Sequence, residues 1–217
     1  MNGSWNPYSA YSVDGAPRGR KHTTDSFRRA WQRVVLIVRG GKRRRINEEL
    51  QKRNMPRILG ASSNHDPIYK PQGVHRRLPH PRVAFMWTPA ATSSPNVPGN
   101  EPGAYWPGKR FVDWVGTDVY SAYSRPLPRL KSFYRRWRNY PFVIGEYSPW
   151  NKDRSGRFTH KLFRWAEGHQ RVRMMIYYRS VHAGSRFDIN HWPKALRVLR
   201  HELNKPVFAP YAPGVRN

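Results

Sequence analysis

Glu146 is the side chain in this chain best suited to covalent chemistry. It stands in the stretch Val143-Ile144-Gly145-Glu146-Tyr147-Ser148-Pro149-Trp150. The apolar run Phe142 to Ile144 reads as a buried strand that ends on the carboxylate, and Pro149 stops any continuation. α/β folds place reacting groups at the C-terminal ends of barrel or open-sheet strands. Aromatic side chains flank Glu146, as they flank carboxylates in sugar-cleaving sites. The plainer alternative is a carboxylate paired with one of the 40 Lys and Arg residues.

Other candidates sit at the ends of other apolar runs. Trp87, Trp150 and Tyr178 are placed where a ring could stack on a pyranose face, with core packing as the alternative for each. Arg179 follows Tyr178. Trp114, Gly116, Asp118 and Tyr120 share one face of a strand by the period of two. Asp118 reads as a buried structural carboxylate, with a replacement acid as the alternative. Asp113 points the other way and reads as structural. Asp66 and Glu101 fall in loops. His65, His182 and His191 lack metal-ligand spacing and there is no Cys, so neither a metal nor a cofactor is expected.

The elements that must position these residues alternate. Phe27, Trp31, Val34, Val35 and Val38 recur at helical spacing, after Thr24 or Asp25 as a cap and before Gly40-Gly41. A short helix is expected around 46–53. Strands are expected at 83–87, 111–120, 142–144 and 172–178. Helices are expected after Pro126, over 158–166 before Gly168, and over 192–203 with Pro193 in the first turn. Residues 1–22 form a loop whose Trp5, Tyr8 and Tyr11 suggest packing on something. Residues 42–80 read as a basic, irregular excursion and 90–109 as a long loop. The order predicts a parallel sheet with right-handed crossovers. Four strands are visible, whereas a (β/α)8 barrel needs eight and about 250 residues. The fold expectation is therefore α/β: an incomplete barrel of about its C-terminal half, or an open sheet.

Composition sets wider bounds. Nine Trp among 217 residues, with 38% apolar residues, suffice for a packed core. No apolar run approaches the roughly 20 residues of a membrane span. The net charge of +27 raises nucleic acid or another polyanion as a partner. Arg18–Lys21 and Lys42–Arg45 lack a helix-turn-helix, RRM or OB pattern around them, which disfavours nucleic acid. They read as solvated surface, with an anionic cell-surface polymer as the partner they could adhere to.

Four blocks resemble family 26 glycoside hydrolases, the retaining β-mannanase family of the large TIM-barrel clan. Val143–Pro149, with Gly145-Glu146-Tyr147, is similar to the strand bearing that family's nucleophile. Tyr105-Trp106-Pro107-Gly108 followed by Phe111–Tyr120 resembles its "YPGxxYVDWVGxDxY" strand. Phe27–Val38 followed by Phe85–Pro89 resembles "WRHVV…WxWxP", and Met1–Trp5 resembles the tail of "HEMNGxW". The likeness spans roughly residues 1–200; the second block and Gly-Glu-Tyr are specific only together.

The resemblance implies Glu146 as nucleophile and Tyr120 as the tyrosine donating to it. It implies Trp5 as a subsite tryptophan and, loosely, Tyr178-Arg179 as an aromatic-Arg pair. It also implies strands 5–8 of the barrel over 1–204 and a polysaccharide substrate; the Pro-rich tail over 205–217 reads as extended by composition. In the family the acid/base Glu precedes the Met of His-Glu-Met-Asn-Gly, so the chain is expected to lack that residue and the strands before it. The full-length form is expected outside the cell, although no signal peptide is visible here. A basic binding protein and a non-catalytic carbohydrate binder are the competing expectations.

Overall fold

A computed structural model describes residues 1–58, 76–150, 153–180 and 185–209. The chain divides into two units: Met1–Phe85 with Thr92–Asp113, and Met86–Ala91 with Trp114–Asn217.

In the first unit, α1 (Thr24–Val38) is capped by Thr23, whose hydroxyl accepts from the Ser26 amide, rather than by Thr24 or Asp25. Its expected apolar face is only partly covered: Val35 is buried, while Val34 and Val38 are exposed. β1 (Gly41–Lys42) leads into α2 (Arg43–Gln51), which starts three residues before the expected helix. β2 (Arg77–Leu78) pairs antiparallel with β1. Ile46, Leu50 and Met55 form the core here, with Leu36, Ile37, Ile58 and Leu78 packed around them. The N-terminal segment is tied down: the Ser94 amide donates to Asn2 and the Ser4 amide to Ser94. Tyr105, fully buried, donates to Asn100 and accepts from the Ala10 amide.

Asp113 is structural, as expected. Its carboxylate accepts from Arg39 and from the Phe85 amide, both at 2.8 Å. A side chain thus takes the Phe85 hydrogen bond that a strand partner would have taken. The strand expected over 83–87 shrinks to β3 (Met86–Trp87).

The second unit is α/β. β4 (Trp114–Tyr120), α3 (Pro126–Arg136), β5 (Phe142–Ser148), α4 (Arg157–Glu167), β6 (Val172–Tyr177) and α5 (Pro193–Leu203) follow β3 in alternation. The four strands form one parallel sheet in the order β3-β4-β5-β6. β4 starts at Trp114 rather than 111, because Lys109–Phe111 closes a 3-10 turn. β5 runs four residues past Ile144, so Glu146 lies within the strand and not at its end. Val115, Val143, Ile144, Leu130 and Leu162 are fully buried between strands and helices. Asp153, one of the few buried acids, accepts from the Phe158 and Thr159 amides and the Thr159 hydroxyl, anchoring the start of α4. The segment after α5 turns rather than extending, with Phe208 packed 5.0 Å from Phe163. Residues 210–217 of the expected tail lie outside the described residues.

Candidate active site

The site is built where β4 and β5 run side by side. Up to Thr117↔Ile144 the two strands pair residue for residue. At Gly145 the β5 chain carries one extra residue, and Asp118 then faces Glu146. A bulge of this kind re-aims the side chains beyond it. Without it Asp118 would face Gly145.

Both sides of this junction are tight, and at Gly116 glycine is required. A Cβ on Gly145 would lie 3.0 Å from the Asp118 carboxylate and 3.3 Å from Thr88. A Cβ on Gly116 would lie 2.4 Å from the Val143 carbonyl.

Tyr120 donates its hydroxyl to Glu146 Oε2 in a short hydrogen bond. Burial, then the hydrogen bond to Glu146, push the Tyr120 pKa well above its ordinary value, so the hydroxyl keeps its proton and stays a donor. Asp118 is pushed up to about 7 by burial first and by the Glu146 charge second. Asp118 therefore keeps its proton well past the ordinary carboxylate range and loses it around pH 7. Tyr123 is pushed up to about 12 by burial, then by Asp118 and Glu146.

Rings wall this pair. Tyr120 meets Tyr123 at 5.4 Å, Trp150 at 5.6 Å, Phe187 at 5.6 Å and Tyr178 at 6.4 Å, all edge-on. Their positions are fixed by backbone anchors. Ser121 Oγ donates to the Trp150 carbonyl at 3.2 Å. Tyr177 donates to the Phe187 carbonyl at 2.7 Å, swinging that loop residue onto Trp150 and Tyr178.

Of the residues singled out in the sequence, Glu146, Asp118, Tyr120, Trp150 and Tyr178 come together here. Trp87 does not line the site. It is fully buried, 4.8 Å from Trp137 and 6.3 Å from Phe133, because the short β3 turns its ring into the core against α3. Trp5 belongs to the first unit, where it is 63% exposed and folds over Gly3. Arg179 is exposed, and its charge is felt by Tyr177. His65, Asp66 and His182 lie outside the described residues. Among the described residues no cluster of His, Asp and Glu could hold a metal, and no helix is long and apolar enough to cross a membrane.

Tyr123 and Phe187 went unmarked in the sequence. Tyr123 lies three residues past Tyr120 in a turn, a visible signal. Phe187 is held at the site by hydroxyls of distant residues, Tyr177 and Ser148, which donate to its carbonyl and which no local pattern encodes.

No family model matches the chain, and no curated protein matches it.

Proposed function

We propose that this chain carries the nucleophile half of a retaining, endo-acting glycoside hydrolase site that cleaves β-mannan or a related β-1,4-glycan. The observation that carries this is the hydrogen bond from Tyr120, the last residue of β4, to Glu146 in the C-terminal half of the adjacent parallel β5, within a wall of aromatic rings. On this reading the sheet corresponds to strands 5–8 of a (β/α)8 barrel. The polymer substrate would put the full-length form outside the cell. Such hydrolysis needs no cofactor.

The chemistry follows from the geometry. Glu146 attacks the anomeric carbon with one carboxylate oxygen while Tyr120 holds the other. The glycosidic C–O bond breaks, and the leaving oxygen takes a proton from an acid. A glycosyl ester on Glu146 results. Water, deprotonated by the same group, then attacks the anomeric carbon and releases Glu146 as carboxylate. A retaining enzyme keeps its two carboxyls about 5–5.5 Å apart. The acid/base carboxyl is not assigned among the described residues, so the test uses a substrate that does not need it.

A dinitrophenyl 2-deoxy-2-fluoro-β-mannobioside has a leaving group that departs without a proton and forms a slowly hydrolysed ester. Incubation followed by peptide mass mapping should place the sugar on Glu146. Glu146→Gln should abolish labelling, and Tyr120→Phe should slow it by roughly tenfold or more, the worth of a hydrogen bond to a charged group. A label on another carboxyl would overturn the assignment. Sugar binding without any label would leave a non-catalytic carbohydrate binder.

A further inference from the structure

The first unit holds a cavity of about 720 Å³ that the glycosidase reading does not use. Among the described residues nine line it, and six of these are cations: Lys42, Arg43, Arg44, Arg57, Arg76 and Arg77. Asn47, Glu48 and Gln51 are the other three, and Glu48 is the only acid among the described lining residues.

The cations arrive on three stretches of backbone that hydrogen bonds hold together. Lys42 on β1 faces Arg77 on β2. The Arg43 amide at the start of α2 donates to the Arg76 carbonyl at 3.0 Å. Asn47 on α2 accepts from the Ile58 amide at 2.7 Å and donates back to its carbonyl, which fixes the chain next to Arg57. The fold therefore gathers like charges instead of letting them spread, although neighbouring cations repel.

Other arginines of this unit are spent on protein acceptors. Arg39 pairs with Asp113, Arg53 with Glu49, and Arg29 donates to the Asn54 carbonyl. Within the cavity Glu48 pairs with Arg44 at 3.4 Å. Among the described residues no carboxylate pairs with Lys42, Arg57, Arg76 or Arg77.

We propose that this cavity binds a compact ligand carrying closely spaced phosphate groups. Five of the six cations are arginine, whose planar fork matches phosphate oxygens two at a time. The volume falls within the range of small-molecule sites, about 300–1,000 Å³. Among the described residues no aromatic ring lines the cavity, so they offer no platform for stacking bases of the kind that single-strand nucleic-acid grooves use. The opening of α2 adds a favourable partial charge: it carries no acidic residue in its first turn and no side-chain cap.

Calorimetric titration of the full 217-residue chain with inorganic tripolyphosphate, at about 0.15 M salt, tests this. Saturable one-to-one binding is expected, with inorganic monophosphate much weaker. Arg57→Gln with Arg77→Gln, both exposed, should weaken tripolyphosphate binding about tenfold or more. Arg138→Gln with Arg154→Gln removes the same two charges from exposed positions of the other unit and should change it less than about twofold. Glu146→Gln should leave binding unchanged, which separates this site from the proposed catalytic one. Equal weakening by the two arginine pairs would reduce the effect to net charge and overturn the site. So would the absence of saturation. A DNA duplex that displaces tripolyphosphate at equal phosphate concentration would overturn the compact-ligand assignment in favour of a nucleic-acid face.

Discussion

Asp118 and Glu146 face each other across β4 and β5, and two adjacent carboxylates cannot both ionise cheaply. The proton stays on Asp118, whose pKa is pushed up to about 7 by burial and then by Glu146. This has a consequence for stability. Below about pH 4 Asp118 is protonated whether the chain is folded or not. From there to about 7 the unfolded chain ionises it and the folded chain does not, so stability falls as pH rises, by about 4 kcal/mol at most. Above that window the loss is complete. Glu49 and Glu202, held below the usual range, act in the opposite sense, adding stability as pH rises through the ordinary carboxylate range. Asp118→Asn should flatten this dependence and melt higher than the parent protein at pH 8. Thermal melts across the window check it, and a parent stability that climbs with pH would contradict the pairing. Labelling of Glu146 by the fluorosugar should also slow above neutral pH in the parent, as a second charge develops beside the nucleophile, and not in Asp118→Asn.

The β4–β5 pair depends on two glycines with different tolerances. At Gly116 a methyl group would meet the Val143 carbonyl, which is backbone and cannot move without parting the strands. Gly116→Ala should cost about 2–3 kcal/mol in urea unfolding. At Gly145 the obstruction is the Asp118 carboxylate and the Thr88 methyl, both side-chain atoms. Gly145→Ala should cost less stability, but should displace Asp118 and slow labelling of Glu146. If both substitutions were equally mild, the close approach of the strands would be wrong. The bulge explains why a strict period of two does not describe this site: one extra residue before Glu146 resets which side chains face each other.

At the scale of the molecule, the parallel sheet of the second unit leaves a strand uncovered. Among the described residues no strand pairs with the far side of β6. Met174 and Ile176 on it are exposed at 36% and 40%. Edge strands with exposed apolar side chains recruit other chains. The high positive charge opposes this by mutual repulsion, less so as salt screens it. Raising salt should therefore promote self-association, and Ile176→Lys should suppress it. Light scattering at matched protein concentration decides. Association unaffected by Ile176→Lys would place the sticky surface elsewhere.

Much of the second unit was legible in the sequence because its signals are local. Pro126 and Pro193 open helices, Gly168 closes one, and β-branched runs make β4 and β5. The alternation of these elements implies parallel pairing, and the spacing of Asp118, Tyr120 and Glu146 puts all three on neighbouring strands. The rest depended on partners distant in sequence. Trp87 reads as a strand-end ring until α3 covers it. The strand before it is shortened because the Asp113 carboxylate takes the Phe85 amide. Phe187 joins the site through hydrogen bonds from Tyr177 and Ser148. The basic run Lys42–Arg45 reads as solvated surface, yet the β1–β2 ladder brings Arg76 and Arg77 against it to enclose a cavity. Periodicity and turn chemistry act over a few residues and can be read from the chain. Which side chain a strand faces, and which charges are forced together, is decided only when remote segments pack.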